Sequence, residues 1–164
     1  MSAAAAPEWM TTDRLALRLL KAEDALPVRE IAEPGRVQAV VARNGDRTLT
    51  PWAIVARASG EVVGFCGFFV RPVQGTTLGY AIVPAFRGRG LATEAAAAVL
   101  DWADRHGVDV YASVRPPNPA SARVLERSAC GWLTAIAMKT DCGMSIAALY
   151  EVPTSVSDVH DPAC

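Results

Sequence analysis

Residues 80–97, YAIVPAFRGRGLATEAAA, constrain this chain more than any other stretch. Tyr80, Ala81, Ile82 and Val83 make a short apolar run that reads as a strand. Pro84 ends it, because proline brings no N–H to a sheet ladder. Arg87-Gly88-Arg89-Gly90 follows, and from Leu91 the chain turns alanine-rich and strongly helix-forming. Two glycines between a strand and a helix allow a tight turn that exposes backbone amides. The helix start points its unpaired N–H groups and positive dipole end at the same place. Two arginines add charge there, so the unit is built to hold an anion, phosphate first. The plainer alternative is an arginine-rich connection that binds nothing.

The pattern narrows the ligand. No lysine follows Gly90, so the P-loop spacing GxxxxGK[ST] is absent. Thr93 stands where a dinucleotide fingerprint needs its third glycine. What remains is Arg87-x-x-Gly90-x-Ala92, an [R/Q]xxGx[G/A] spacing placed directly after a strand.

At 164 residues the chain reads as one domain over 1–153 with a polar tail at 154–164. The formal charge of −1 gives no nucleic-acid footprint, and the longest apolar runs fall far short of a membrane span. Residues 1–7 lack a basic start followed by an apolar stretch, so no signal peptide is read. Cys66, Cys130, Cys142 and Cys164 form no CxxC pair, and no metal site is expected. Isolated thiols suit a reducing cytosol, and a cytoplasmic location is expected. The oligomeric expectation is a monomer or homodimer.

In chain order, residues 1–10 read as a loose leader with Trp9 docking on the fold. Residues 12–20 alternate as a half-buried strand, with Leu15, Leu17 and Leu19 on one face. Asp24 is placed to cap a helix running to Ala32, which Glu33-Pro34-Gly35 breaks. Residues 37–43 fit a short helix or an irregular strand equally. Strands are expected over 52–57, 61–70 and 77–83, and Gly64 and Gly67 imply close backbone approach or a bulge. A helix from Leu91 to His106 closes on Gly107, and a strand follows at 110–114. Asn118 then caps a helix that has Pro119 in its first position and ends near Ala129. Strands at 132–138 and 144–152 end the fold.

That later helix carries a second pattern. Asn118-x-x-Ser121-x-Arg123-Val124-Leu125-Glu126-Arg127 lies about thirty residues after Arg87-x-x-Gly90-x-Ala92. With Thr12-x-Arg14-Leu15-x-Leu17-Arg18-x-Leu20, Gly79-Tyr80 and Gly90-x-Ala92-Thr93-Glu94-Ala95, the chain resembles the GCN5-related N-acetyltransferases (GNAT), in their RimJ/RimL-like branch of ribosomal-protein acetyltransferases. The resemblance covers roughly residues 12–152.

It implies an α+β fold: a central mixed seven-stranded sheet, splayed between strands four and five, with about four flanking helices. It implies acetyl-CoA as cofactor, its pantetheine lying in the splay and pairing with the backbone near Ile82 and Val83. The pyrophosphate falls on the amides of Arg87, Gly88, Arg89, Gly90, Leu91 and Ala92, with Thr93 beside it. Asn118 approaches the pantetheine, and Arg127 is either a 3′-phosphate ligand or an exposed helix charge.

By the same resemblance the reaction is direct attack of a neutral amine on the thioester, with no covalent enzyme intermediate. Many relatives place a proton-donating tyrosine where this chain has Leu125, so the donor passes to Ser121, whose other reading is a helix cap. Relatives often carry a glutamate just before Gly79-Tyr80, where Thr77 and Leu78 stand here. Glu94 reads as a structural residue, Asp141 is a weak candidate base, and a water molecule is the remaining one. The segment before Trp52 forms part of the acceptor wall in relatives and is short here, which favours an open site. The acceptor is expected to be the α-amine of a protein or peptide N-terminus. The alternatives are a small-molecule amine such as an antibiotic or amino-acid derivative, and a non-catalytic CoA-binding sensor.

Overall fold

The computed structural model describes residues 6–42, 51–71, 75–108, 110–112 and 118–128. Strands β1 (Trp9–Thr11), β2 (Leu15–Leu19), β3 (Pro51–Ala56), β4 (Val62–Arg71) and β5 (Gly75–Ile82) pair antiparallel in chain order. Helix α1 (Pro34–Val41) lies between β2 and β3, and α2 (Leu91–Arg105) and α3 (Pro119–Ser128) follow β5. The sheet continues past β5 through a parallel bridge between Thr77 and Tyr111. There Leu78 N–H donates to the Tyr111 carbonyl at 2.7 Å, and Tyr111 N–H donates to the Thr76 carbonyl at 2.8 Å. The sheet is therefore mixed, as expected. The strands expected at 132–138 and 144–152, and residues 113–114 of the strand expected at 110–114, lie outside the described residues.

Strand alternation sorts the core into two layers. On β3, Trp52 and Ile54 face one layer with Leu15, Leu17 and the α2 residues Ala95, Ala96, Val99 and Trp102. Ala53 faces the other, against Leu20, Val28 and Val37. The alanines of α2 let its axis approach the sheet closely, and Trp102 meets Trp52 edge-on at 6.2 Å. Gly107, at φ +61°, ends α2 as anticipated.

Gly64 satisfies the close-approach expectation. A Cβ there would lie 2.2 Å from the Ala81 carbonyl oxygen, inside any permitted contact. The ladder also slips between Ile54 and Val55, a bulge opposite that part of β4.

Three expectations fail. The leader is not loose from residue 6 on: β1 pairs with β2, Ala6 is buried, and Trp52 Nε1–H donates to the Pro7 carbonyl at 2.9 Å. Trp9 stays 60 % exposed and does not dock. The helix expected from Asp24 to Ala32 is a 3₁₀ turn, Ala22–Ala25, followed by irregular turns. Val28 N–H does reach the Asp24 carbonyl at 3.2 Å, but Arg29 and Ile31 N–H bond three residues back, to the Leu26 and Val28 carbonyls, so no continuous α ladder forms. Asp24 turns inward, accepting from Lys21 N–H at 2.8 Å and from Arg18 through both oxygens. Finally, Glu33-Pro34-Gly35 starts a helix instead of breaking one. Pro34 sits in the first turn of α1, where a missing N–H costs nothing, and the Glu33 carbonyl receives Arg36 and Val37. Residues 37–41 are thereby helical.

Candidate active site

The site begins at the outer edge of β5. Val83 N–H donates to the Val63 carbonyl at 2.9 Å, and Ile82 lies opposite Gly64. In an antiparallel ladder the next residue then turns its N–H and C=O to the other side. Ile82 thus aims its backbone away from β4, beyond the point where Tyr111 has closed the edge. Its carbonyl accepts the Arg87 Nε–H at 2.9 Å.

After β5 a 3₁₀ turn, Pro84–Phe86, leads into the glycine loop. Gly88 and Gly90 both sit in the left-handed region, at φ +73° and +74°, which side-chain-bearing residues avoid. Gly90 precedes α2 without a capping side chain, so the amides opening the helix remain clear for a ligand. Arg89 does not join them: its Nη2 donates to the Ala85 carbonyl at 3.1 Å and its guanidinium lies 5.1 Å over the Phe86 ring.

Facing the loop is α3. Asn118 Oδ1 accepts the Ser121 N–H at 3.1 Å, the cap the sequence forecasts. The Tyr80 hydroxyl donates to the Ser121 carbonyl at 2.9 Å and ties β5 to this helix start. Leu125 is buried in the core, so an apolar residue there fills space that packing requires.

Between loop and helix lies a cavity of about 640 Å³. It brings together ten residues anticipated from sequence: Ile82, Arg87, Gly88, Gly90, Leu91, Ala92, Thr93, Asn118, Ser121 and Arg127. Two anticipated residues are not in its wall. Val83 is buried, with its N–H on Val63 and its carbonyl accepting from Phe86 N–H. Arg89 is turned away as described. Tyr80, Phe86 and Arg123 line the cavity unforeseen. Helical spacing could have found Arg123, since Ala120, Arg123, Val124 and Arg127 recur along one face of α3. No such signal marks Tyr80, whose partner is forty-one positions away.

The groove is cationic. Arg87, Arg123 and Arg127 line it, and among the described lining residues there is no carboxylate. Glu94, in the first turn of α2, is turned from it to Thr12 and Arg14. Burial would push the Glu94 carboxyl up. The Thr12 hydroxyl and the Arg14 amide and guanidinium outweigh this and hold it below the usual carboxylate range. Glu94 is thereby held as a carboxylate that ties the start of α2 to Thr12 and Arg14.

The volume suits an extended cofactor. The left-handed glycines, helix-start amides and arginines suit its phosphates. A second cavity, of about 180 Å³, opens beside α1, and Tyr80 borders both.

Residues 14–130 match the acetyltransferase (GNAT) domain family. The chain belongs to that family. GNAT proteins of known structure share its architecture. An acetyltransferase from Agrobacterium tumefaciens str. C58 is 25 % identical with a TM-score of 0.71, covering 92 % of this chain and 97 % of its own. Ribosomal-protein-S5-alanine acetyltransferase from Vibrio fischeri is 16 % identical with a TM-score of 0.63, covering 87 % and 92 %. Microcin C7 self-immunity acetyltransferase, solved with acetyl-CoA and AMP, is 16 % identical with a TM-score of 0.63, covering 85 % and 92 %. This GNAT protein is an N-acetyltransferase that uses acetyl-CoA, and the groove has the shape and charge for it.

Proposed function

We propose that the enzyme acetylates a primary amine, the α-amine of a peptide or protein N-terminus, and that the groove between the glycine loop and α3 holds the acetyl-CoA. One observation carries this reading: a single cavity joins the left-handed glycines, the α2 start, Asn118 and Ser121. When bound, acetyl-CoA supplies an activated acetyl thioester.

The chain's own groups divide the work. Amides of Gly88 and of Gly90 to Thr93, with the Arg87 guanidinium, hold the pyrophosphate, and Arg127 with Arg123 meets the 3′-phosphate. Ile82 offers its backbone to the pantetheine as a strand edge does. Arg87 now occupies the Ile82 carbonyl, so turning toward phosphate also clears that edge. The Ser121 hydroxyl donates a proton to the leaving thiolate. Asn118 fixes the turn that presents Ser121, and Tyr80 fixes it from β5. No described side chain is assigned as general base; Asp141 lies outside the described residues.

The test is acetyl-CoA turnover over a panel of peptides and small amines, with calorimetry of CoA binding. Transfer to peptide N-termini supports the reading. Transfer only to small amines replaces the acceptor, and binding without transfer replaces the enzyme with a sensor.

A further inference from the structure

We propose that the cavity beside α1 receives the side group next to the acceptor amine and selects an uncharged, apolar group of about benzene size carrying one hydrogen-bonding atom. The inference rests on the acetyl-transfer reading and names its substrate class.

Position comes first. The cavity lies on the sheet face opposite α2 and reaches Tyr80, which also borders the cofactor groove. A molecule filling it would leave its amine at the junction of the two cavities. Size comes next. At about 180 Å³ it is smaller than the roughly 300 Å³ at which drug-sized ligands begin to fit. An apolar cavity of about 150 Å³ takes benzene. It therefore holds a side group, not a whole molecule.

The walls decide the chemistry. Leu20, Val37, Val40, Phe65 and Phe69 are apolar, and a charge buried among them would be strongly penalised. Gly79 makes room for one wall: a Cβ there would lie 2.6 Å from the Phe69 ring. Arg36 lines the cavity as an exposed cation, which opposes a basic group; its exposure makes it too weakly paired to offset burial of an acidic one.

One buried wall residue carries a hydroxyl. Thr77 is 6 % exposed, lines the cavity, and its Oγ1 is buried with no hydrogen-bond partner among the described residues. An unmade hydrogen bond at a buried hydroxyl is costly, and a ligand atom that completes it recovers that cost. The occupant thus carries a hydroxyl or carbonyl.

The experiment measures kcat/KM with acetyl-CoA for tetrapeptides beginning with Gly, Phe, Tyr, Asp or Lys, and for the corresponding amino-acid amides. The two sets separate a peptide source from a small amine. Phe and Tyr should exceed Gly by about tenfold or more, Asp and Lys should fall below Gly, and Tyr should exceed Phe by about tenfold. Thr77→Val should erase the Tyr-over-Phe preference, and Thr77→Ser should keep it. Calorimetry of the Tyr and Phe amides, without acetyl donor, should show the same preference and the same loss. Equal rates across the panel, or a preference that survives in Thr77→Val, would overturn the proposal while leaving acetyl transfer intact. Absence of transfer to every member would overturn the transfer reading and this one with it.

Discussion

Arg14 and Glu94 join the start of the sheet to the glycine loop and α2, eighty positions apart. Arg14 donates its Nε–H to Glu94 Oε2 at 2.6 Å and its backbone N–H to Oε1 at 2.9 Å. Its Nη1 reaches the Arg89 carbonyl at 2.9 Å, inside the glycine loop. Thr12 completes the clasp through its hydroxyl on Glu94 Oε1. The loop is thus held in shape before any ligand arrives, and preorganised sites bind more tightly because less ordering remains to be done. Arg14→Ala should raise the acetyl-CoA Kd by about three- to tenfold, and calorimetry measures it. The exposed guanidinium contributes little stability itself, so the melting temperature should move only slightly.

The same clasp sets an acid limit. Glu94 has a carboxyl pKa lowered in the folded protein, so the folded state favours its ionised form. A depressed carboxyl stabilises fully above its ordinary value, near 4.5, and loses that contribution as pH falls through the lower folded value. Acetyl-CoA affinity and melting temperature should both decline below about pH 4.5. In Glu94→Gln the part of that decline due to the clasp should be gone. Parallel titrations of the two proteins between neutral and acid pH check this.

What could be foreseen depended on range. The glycine loop, α2 and the Asn118 cap are local patterns, complete within a few residues, and each stands as anticipated. The first helix was misread because Asp24 looks like a cap for the residues after it, whereas its carboxylate turns back to Arg18 and the Lys21 N–H. β1 has no alternation long enough to announce itself and exists because β2 is beside it. The Tyr80–Ser121 and Arg14–Glu94 contacts, and a Thr77 hydroxyl without a partner among the described residues, are tertiary facts that no spacing encodes.

Gly90 tests the loop. It sits at φ +74°, opens α2 and lines the groove. Gly90→Glu would strain the backbone and set a carboxylate where the pyrophosphate is to bind. Binding of acetyl-CoA should be lost by calorimetry, with the far-ultraviolet circular dichroism kept. Wild-type affinity would show that the phosphates bind elsewhere.

Asp24 tests the α1 layer. It is 1 % exposed and bonded by both Arg18 guanidinium nitrogens at 2.7 Å. Removing one member of a buried pair leaves the other charge uncompensated, at a cost of about 3–5 kcal/mol. Asp24→Ala should lower unfolding stability in urea by that order. A loss below about 1 kcal/mol would mean that water reaches Arg18 when its partner is gone.

Ser121 tests the chemistry, and its surroundings make the substitution clean. Its backbone N–H is held by Asn118 and its carbonyl by Tyr80, so Ser121→Ala removes the hydroxyl while leaving both ties. If that hydroxyl donates a proton only as the thiolate leaves, kcat should fall while acetyl-CoA Kd stays unchanged. General-acid loss costs about 10²–10⁴-fold, and water entering the vacated space places the expected fall near 10²-fold. Tyr80→Phe, which frees the Ser121 carbonyl, should lower kcat less, because it disturbs the position of the donor and not the donor itself. With no base among the described residues, the rate should rise with pH until the acceptor amine is deprotonated, and the apparent pKa should track acceptors of different basicity. Unchanged kcat in Ser121→Ala with a large loss in Tyr80→Phe would move the proton donor to Tyr80. An apparent pKa that stays fixed across acceptors would reveal a base supplied by the protein.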